Sequence, residues 1–309
     1  MSLALLLAAI ALAAAGHSTT SAQRWEPPAG ARFQYQLESS ARSHTATGGI
    51  DVGICRAPPS GGSCVRPQVF DIDLYADGRI SGNDHTVNRA AVNAIHRRGG
   101  HAICYVSAGT AERFRPDYRT YVRFDRRIGH RLLGKPFSDR FSNEYWLNIN
   151  NGRGQRDFVL RRIAARTKRC ADAGFDAVEY DVVDAYAQGR RVTGWRIRAH
   201  TQLMFDRALA RIAHDNGLSV GLKNDLGQVP KLESRFDFAV NEQCFQYAEC
   251  TNNPSPGYKA FTRDGKAVFQ VEYRIPPSRF CVRANRLGFS SIKKARDFSL
   301  DAKPWRPCR

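Results

Sequence analysis

Eight short apolar runs alternate with longer amphipathic segments, and this alternation limits the possible folds more than any other feature of the chain. The runs are rich in Val, Ile, Phe and Tyr, which is typical of strands that are covered on both faces. They occupy residues 32–37, 68–75, 101–109, 176–183, 218–224, 236–243, 266–273 and 289–294. Apolar residues at helical spacing lie between them, most clearly in residues 88–100, 155–173, 195–217 and 276–289.

Strands that alternate with helices favour parallel βα units. Since no change in composition divides the chain, the eight units predict a single α/β domain, a (β/α)8 TIM barrel with disulfide-tied loops. A doubly wound open sheet is the alternative, but no Gly-rich phosphate loop follows its first strand. One further apolar run, residues 144–150, is assigned to a long loop after the third strand.

The N-terminal residues 1–22 have the features of a signal peptide. Their apolar run from Leu3 to Ala15 is too short to span a membrane comfortably, and the small residues Thr20 and Ala22 offer a cleavage site before Gln23. A positively charged start is missing, so an uncleaved membrane anchor is the alternative. Residues 23–309 are expected to form one secreted or periplasmic domain with no transmembrane segment after signal removal.

Eight cysteines, an even number, support export. Cys55 and Cys64 flank a Gly/Pro/Ser-rich loop, Cys244 and Cys250 are close in sequence, and a bond between Cys281 and Cys308 would hold the C-terminal tail. That leaves Cys104 for Cys170, although eight cysteines allow about 105 pairings and the sequence does not fix them. A zinc site is the alternative, but no C-x-x-C spacing supports it, and we predict no metal and no cofactor.

Basic residues dominate the charge of the chain, with 47 Lys and Arg against 29 Asp and Glu and a formal net charge of +18. Such a protein attracts polyanions, including nucleic acids, acidic glycans and an anionic cell envelope. The arginines are spread over every predicted helix and are not grouped with aromatic residues. We therefore expect no dedicated nucleic-acid site, whereas association with an anionic envelope stays open.

Polar residues end several of the apolar strands, which is where barrel enzymes place their active sites. Glu179 and Asp181 share one face of the fourth strand, because side chains alternate with a period of two. The polar strand ends are Asp71 and Asp73, Tyr105, Ser107 and Glu112, Asp181, Asp184 and Tyr186, Lys223 and Asn224, Asn241 and Glu242, and Glu272 and Tyr273. Taken singly, each acid is more typical of a helix cap or an ion pair than of a catalytic group, and it is the set together that indicates a site.

Nucleophilic-serine and histidine-based chemistry find no support in the sequence. No G-x-S-x-G motif occurs, and His96, His101, His200 and His214 lie on helices or at the start of a strand. Acid catalysis by two carboxylates is the chemistry that remains. Tyr35, Tyr105 and Trp146 are either core residues or platforms for a sugar ring.

The chain resembles the endo-α-1,4-polygalactosaminidases of glycoside hydrolase family 114, which have a TIM-barrel catalytic domain. The resemblance runs from about Phe33 to Cys308 and rests on the ordered motifs FQYQL, DIDLY, ICYVSAGTAERFRPD, GFDAVEYDVVDAY, VGLKN, FDFAVNEQCFQYAEC and GKAVFQVEY. It implies a secreted enzyme with no obligatory metal that hydrolyses a galactosamine-rich polysaccharide. It also implies that the catalytic pair on the fourth and sixth strands is Asp181 and Glu242.

By resemblance and by position at strand ends, we expect Asp181 to be the nucleophile or base and Glu242 the general acid. The expected substrate-binding residues are Asp73, Tyr105, Asp184, Tyr186, Lys223, Asn224 and Glu272. Whether the reaction retains or inverts configuration depends on the gap between the two carboxyl groups, which the sequence leaves open.

Some positions depart from the family pattern. Where the family usually reads E-P-D-N-V-D-G-Y, residues 179–186 read EYDVVDAY, so that Val182 replaces an asparagine and Ala185 a glycine. Phe114 replaces a usual tryptophan and Asn148 a usual aspartate. The alternative function is therefore a secreted glycan-binding protein that has lost catalysis. The net charge of +18 adds a second conflict, because a deacetylated galactosamine polymer is itself cationic.

Overall fold

The structure is a computed structural model that describes residues 24–38, 45–76, 85–252 and 255–309. The signal peptide expected at residues 1–22 lies outside the described residues. Within the described ranges, no helix is both long enough and apolar enough to cross a membrane.

Twelve strands are found in the described residues, and eight of them form the parallel barrel. In chain order the strands are β1 Phe33–Gln36, β2 Val69–Asp73, β3 His101–Ser107, β4 Thr110–Glu112, β5 Leu133–Pro136, β6 Glu144–Leu147, β7 Ala177–Asp181, β8 Ser219–Lys223, β9 Phe238–Glu242, β10 Val268–Glu272, β11 Ser290–Lys293 and β12 Arg306–Pro307. The large sheet has the order β1-β2-β3-β7-β8-β9-β10-β11-β12, parallel except for β12.

Helices follow the strands on the outside of the sheet. They are α1 Arg89–His96, α2 Tyr118–Arg127, α3 Gln155–Ala173, α4 Ala185–Thr193, α5 Ala199–Asp215, α6 Val229–Leu232, α7 Lys259–Arg263 and α8 Cys281–Arg286. Their ends follow local sequence: the Asn88 side chain caps α1 by accepting from the N–H of Ala91, and α3 ends at Gly174 in a left-handed conformation.

All eight predicted strands are present, each two or three residues shorter than predicted, and the barrel prediction is confirmed. The surplus run at 144–150 contributes β6, which pairs antiparallel with β4 and β5 in a small sheet after β3. The helix predicted from Trp195 begins only at Ala199. A turn precedes it, because the Thr193 hydroxyl accepts from the N–H of Trp195 and donates to the carbonyl of the same residue.

The C-terminal tail lies along the junction between the last and first barrel strands. Strand β12 occupies the free edge of β11, and Trp305 donates from Nε1 to the carbonyl of Phe33 at 2.9 Å. Lys294 and Gln34 connect the same strands through their side chains at 3.1 Å. The tail therefore takes part in closing the barrel.

The cysteines pair as expected from the sequence, and the disulfides hold loops and the tail. The pairs are Cys55–Cys64, Cys104–Cys170, Cys244–Cys250 and Cys281–Cys308. Because every cysteine is in a disulfide, none is available as a zinc thiolate.

Aromatic packing fills the lower part of the barrel interior. The ring of Phe269 stacks on Phe33 with centroids 4.7 Å apart and meets Phe238 at 5.8 Å. Gly221 makes room for this packing, since a Cβ there would lie 2.4 Å from the Phe238 ring. On the same strand faces, nearer the C-terminal ends, lie the polar side chains of Lys223, Glu242 and Tyr273.

Candidate active site

A cavity of about 700 Å³ opens at the C-terminal ends of the barrel strands. Its floor is built by inward-facing residues of β2, β3, β7, β8 and β9. The residues around it are Tyr35, Leu37, Glu38, Asp73, Tyr75, Ala76, Tyr105, Glu112, Phe114, Arg115, Phe137, Ser138, Phe141, Glu144, Trp146, Asp181, Val182, Asp184, Gln188, Val192, Lys223, Asn224, Glu242, Tyr273, Phe298 and Leu300. Its size suits a sugar-sized ligand.

Lys223 is the centre of the polar floor. Its ammonium nitrogen lies 3.0 Å from Asp181 Oδ1, 3.2 Å from Glu179 Oε1 and 3.3 Å from Glu242 Oε2. Burial alone would lower the pKa of Lys223, but the carboxylates of Asp181, Glu242 and Glu179 outweigh burial and raise it well above its usual value. Lys223 is therefore a fixed cation that holds the two predicted catalytic carboxylates together.

Asp181 accepts hydrogen bonds from three donors. They are the Lys223 ammonium at 3.0 Å, the Tyr105 hydroxyl at 2.8 Å and the backbone N–H of Val182 at 2.8 Å. Burial and the charge of Asp181 raise the pKa of Tyr105 well above its usual value, so this hydroxyl stays protonated and donates. These three donors hold the Asp181 carboxylate in a fixed orientation at the cavity, as a nucleophile requires.

Val182 has a φ of 61°, which is unfavourable for a β-branched residue. The family's usual asparagine at this position tolerates the left-handed conformation. Gly109 packs against the same turn, since a Cβ at Gly109 would lie 1.8 Å from the Val182 carbonyl oxygen. The strained turn directs the Val182 N–H to Asp181. This contact is made by the backbone, so it does not need the side-chain amide of the asparagine that Val182 replaces.

Glu242 is held from two sides. The Tyr273 hydroxyl donates to Oε1 and Lys223 contacts Oε2. The backbone N–H of Glu242 donates to Asn224 Oδ1 at 3.0 Å, while Asn224 itself has a φ of 49°. Asn224 thus lies in the cavity lining, as its predicted substrate contact requires, and also fixes the position of Glu242.

Asp71 and Glu179 form a second pair of carboxyl groups beneath Asp181, and both are fully buried. Both Asp71 oxygens and Glu179 Oε2 have no hydrogen-bond donor among the described residues. Burial, followed by the charge of Glu179, raises the pKa of Asp71 well above its usual value. A proton on Asp71, which its raised pKa favours, would supply a donor between the two carboxyl groups and would reduce the negative charge around Lys223.

Asp73 also lies in the lining, but both of its oxygens accept from Arg115, at 2.7 and 2.6 Å. Arg115 in turn binds Glu112 through two bonds of 2.8 Å. The contact of Asp73 with a substrate remains a prediction, since its carboxylate accepts from Arg115 and from the backbone N–H of Tyr75 at 2.7 Å.

Asp184 and Tyr186 follow β7. Asp184 lines the cavity, accepts from Gln188 at 3.1 Å and has its pKa raised by burial. The Tyr186 hydroxyl instead faces Asp225, outside the cavity lining, and burial and Asp225 raise its pKa. Of this predicted pair, the structure brings Asp184 to the site and leaves Tyr186 behind it.

Glu272 does not reach the cavity. It is fully buried, and its Oε1 accepts from the N–H of Phe245 at 2.9 Å and from Gln270 at 2.8 Å. The reason is strand parity, because Tyr273 and Phe269 face the interior and Glu272 points to the opposite face. The geometry gives Glu272 the role of holding the loop after β9 rather than contacting substrate.

Glu144 and several aromatic residues line the cavity but were not predicted from the sequence. Glu144 begins β6, lines the cavity, and has its pKa raised to about 8 by burial and by the nearby Glu112. Phe137, Phe141 and Phe298 also line the cavity. These three residues lie in loops, where no periodicity of the sequence places them at the cavity. Tyr273 could have been predicted there, because side chains alternate along β10.

Two carboxylates that share one lysine over an aromatic-walled cavity can perform acid-assisted displacement at a sugar carbon. Within the described ranges, no three or more His, Cys, Asp or Glu side chains are arranged to hold a metal ion. The chemistry available from the described side chains is proton transfer and carboxylate attack.

Two solved structures with a similar fold are those of Aspergillus fumigatus Ega3 and of the glycoside hydrolase domain of PelA. Aspergillus fumigatus Ega3, crystallised in complex with galactosamine, has a TM-score of 0.67 and 26% identity, covering 90% of this chain and 96% of that chain. The glycoside hydrolase domain of PelA from Pseudomonas aeruginosa has a TM-score of 0.52 and 13% identity, covering 89% and 97%. At that identity PelA supports the fold alone.

None of the curated protein sequences compared with the chain matches it. The family model described as glycoside-hydrolase family GH114, in contrast, matches residues 14–307, nearly the whole chain. With the barrel and its pair of carboxylates, this match shows that the chain is a glycosidase and belongs to glycoside-hydrolase family GH114.

Proposed function

We propose that the chain is a secreted hydrolase of galactosamine-containing polysaccharide that uses Asp181 and Glu242 in a two-step reaction with retention. The observation that carries the proposal is the shared contact of both carboxylates with Lys223. Glycosidic bonds are cleaved by such pairs in an acid-assisted displacement.

The contacts with Lys223 bear on stereochemistry. Asp181 Oδ1 and Glu242 Oε2 lie 3.0 and 3.3 Å from one nitrogen, so they cannot be farther apart than the sum of those distances. That sum is below the roughly 6.5–9.5 Å typical of inverting enzymes and admits the roughly 5–5.5 Å of retaining ones. Retention is therefore the outcome that the geometry favours.

In the first step Asp181 attacks the anomeric carbon while Glu242 gives its proton to the leaving glycosidic oxygen. Water then attacks the glycosyl-aspartate, and Glu242 takes back a proton from that water. Lys223 and Tyr105 hold Asp181 in place for the attack, and Tyr273 and Asn224 hold Glu242.

The negative charge of the cavity lining favours a substrate with cationic sugars, although the chain as a whole has a net charge of +18. Acidic side chains outnumber basic ones around it: Glu38, Asp73, Glu112, Asp181, Asp184 and Glu242 against Arg115 and Lys223. Glu144, with its pKa raised to about 8, adds little charge at pH 7. Since charges are screened over about 8 Å at physiological salt, the acidic mouth can attract an ammonium group within an otherwise basic protein. The galactosamine bound in the Ega3 crystal supports the same substrate class.

Reducing-end release from α-1,4-linked galactosamine oligomers tests the proposal, with the N-acetylated oligomers as the matched substrate. We expect the deacetylated oligomers to be cleaved faster, with the α-anomer as the first product by NMR. Asp181→Asn and Glu242→Gln should each lower turnover by about 10³-fold or more with an unchanged melting temperature. Near-normal turnover by either variant would falsify the assignment, and a preference for acetylated oligomers would contradict the charge argument.

Secretion is part of the same proposal and rests on residues 1–22 and the four disulfides. Expression of the full chain in an export-competent host should give a medium or periplasmic product that begins at Gln23. N-terminal sequencing of the mature product checks this, and an intact, membrane-bound N-terminus would indicate the anchor instead.

A further inference from the structure

The catalytic mouth leaves the strong positive charge of the chain unexplained, because that mouth is acidic. A second cavity, of about 410 Å³, has the opposite character. It is surrounded by Ala29, Gly30, Lys259, Thr262, Arg263, Arg286, Leu287, Gly288 and Arg309, with four cations and no carboxylate side chain. We call this group of residues the basic pocket.

The basic pocket lies at the end of the barrel opposite the catalytic mouth. Gly30 precedes β1, α7 with Lys259 and Arg263 precedes β10, and Gly288 precedes β11. These are the N-terminal ends of their strands, whereas the active site lies at the C-terminal ends. A molecule in the basic pocket therefore leaves the catalytic cavity open.

Its cations are not neutralised by neighbouring side chains. Among the residues that the structure describes, no carboxylate lies within ion-pair distance of Lys259, Arg263, Arg286 or Arg309. Burial, and then repulsion from Arg32, lowers the pKa of Arg309. A bound anion would relieve this excess of positive charge.

Arg309 is also held in place before any ligand arrives. Its Nη2 donates to the carbonyl of Gly288 at 3.0 Å and to Ser290 Oγ at 3.3 Å. Gly30, at a φ of 82°, leaves space for this guanidinium, because a Cβ there would lie 3.2 Å from Nη2. The Arg309 Nε is buried and has no hydrogen-bond partner among the described residues. A guanidinium that is already fixed by these contacts loses little entropy when its exposed N–H groups bind an oxyanion.

We propose that the basic pocket binds a carboxylate-bearing polysaccharide, and thereby holds the enzyme on an anionic matrix while the opposite mouth cleaves its substrate. Guanidinium groups bind carboxylates through paired hydrogen bonds. The lining contains no aromatic side chain, so it lacks the stacking surface that single-stranded nucleic acids use. This inference goes beyond the proposed hydrolysis and does not depend on it.

Binding to polygalacturonate tests the proposal, with neutral dextran and a single-stranded oligonucleotide as comparison polymers. Arg263→Glu with Arg286→Glu reverses two exposed charges of the pocket. Arg161→Glu with Arg211→Glu is the matched control, since it changes the net charge equally at exposed positions on α3 and α5. Melting temperature and sugar release report on folding and on the mouth.

We expect the wild type to bind polygalacturonate and not dextran. The pocket variant should bind about tenfold more weakly, and the control less than about threefold more weakly, because only local charges contribute strongly at physiological salt. Arg263→Ala with Arg286→Ala replaces the pocket variant if charge reversal lowers the melting temperature. Equal losses in pocket and control variants, absent wild-type binding, or tighter pocket-dependent binding of the oligonucleotide would each overturn the proposal.

Discussion

Two clusters of buried charge border the catalytic cavity, and they differ in how their charges are balanced. In the arginine cluster, Arg115 binds Asp73 and Glu112, while Arg166 binds Asp117 and Glu112. Arg115 makes paired contacts with each of its acids, at 2.6–2.8 Å. Two rigid cations and three acids hold one another in a single geometry.

In the lysine cluster, one ammonium group serves Glu179, Asp181 and Glu242, each through a single contact of 3.0–3.3 Å. Asp71 adds a fourth carboxyl group close by. The negative charge is in excess, so protons must occupy part of the cluster, and the acids keep lone pairs that are not committed to a partner.

The comparison shows that burial and charge alone do not distinguish a structural network from a reactive one. The arginine cluster orders the loop after β4, whereas the lysine cluster retains carboxylate oxygens at the cavity that can attack or transfer a proton. The two clusters differ in their ratio of acids to cations, and in whether an acid makes paired contacts or a single contact with its cation.

The largest expected difference between the clusters is in catalysis. Lys223→Met should lower kcat/KM by about 10³-fold, because it removes the ammonium group that contacts both Asp181 and Glu242 and holds them in position. Steady-state assays on galactosamine oligomers measure this effect. Activity within about threefold of wild type would show that Lys223 does not sustain the pair.

Stability should respond in the opposite sense. Arg115→Met leaves the largely buried Asp73 without a cation and leaves Glu112 with Arg166 alone, and it should lower the free energy of unfolding by about 3 kcal/mol. Denaturant unfolding of this variant beside Lys223→Met gives the comparison. A larger stability loss in Lys223→Met than in Arg115→Met would reverse the roles assigned to the clusters.

The pH dependence of stability should have opposite signs in the two clusters. The pKa of Asp71 is raised, first of all by burial. Its contribution to the free energy of unfolding is therefore complete at pH values below the pKa of the unfolded state, and it is lost as the pH rises through the pKa of the folded state. Burial opposes ionisation of Asp117 as well, but Arg166 outweighs it and lowers the pKa, so that contribution is lost as pH falls.

Asp71→Asn should therefore flatten the loss of stability toward alkaline pH, and Asp117→Asn the loss toward acidic pH. Melting temperatures across the pH range of reversible unfolding measure both slopes, with wild type as the reference. If both variants alter the same limb, the proposed proton between Asp71 and Glu179 is not there.

The smallest expected effect concerns the turn that joins β7 to the site. Val182→Asn should raise the free energy of unfolding by about 1 kcal/mol, because asparagine tolerates a φ of 61° better than a β-branched residue does. Val182→Leu is the control, since it keeps the unfavourable backbone conformation. A lower melting temperature for Val182→Asn than for Val182→Leu would show that the strain is not costly.

Part of the active site could be predicted because strand periodicity is local. The two-residue alternation on β7 placed Glu179 and Asp181 on one face, and the observed lumen contains both. The same alternation on β10 would have predicted Tyr273, and not Glu272, at the cavity. Glu144 carried no comparable signal, since its place in the site depends on how a small antiparallel sheet folds back after β3.

The sequence by itself determined the eight βα units and the strand ends from which the carboxylates come, and it favoured, without fixing, the disulfide pairing that the structure shows. These follow from hydrophobic periodicity, turn residues and chain proximity, which act over a few residues. Only the tertiary structure decided that Asp181 and Glu242 share Lys223, that Asp73 is paired with Arg115, and that the acidic and basic cavities lie at opposite ends. Those facts depend on which strands become neighbours when the barrel closes, and side-chain distances of about 3 Å between residues far apart in the chain are set by that closure.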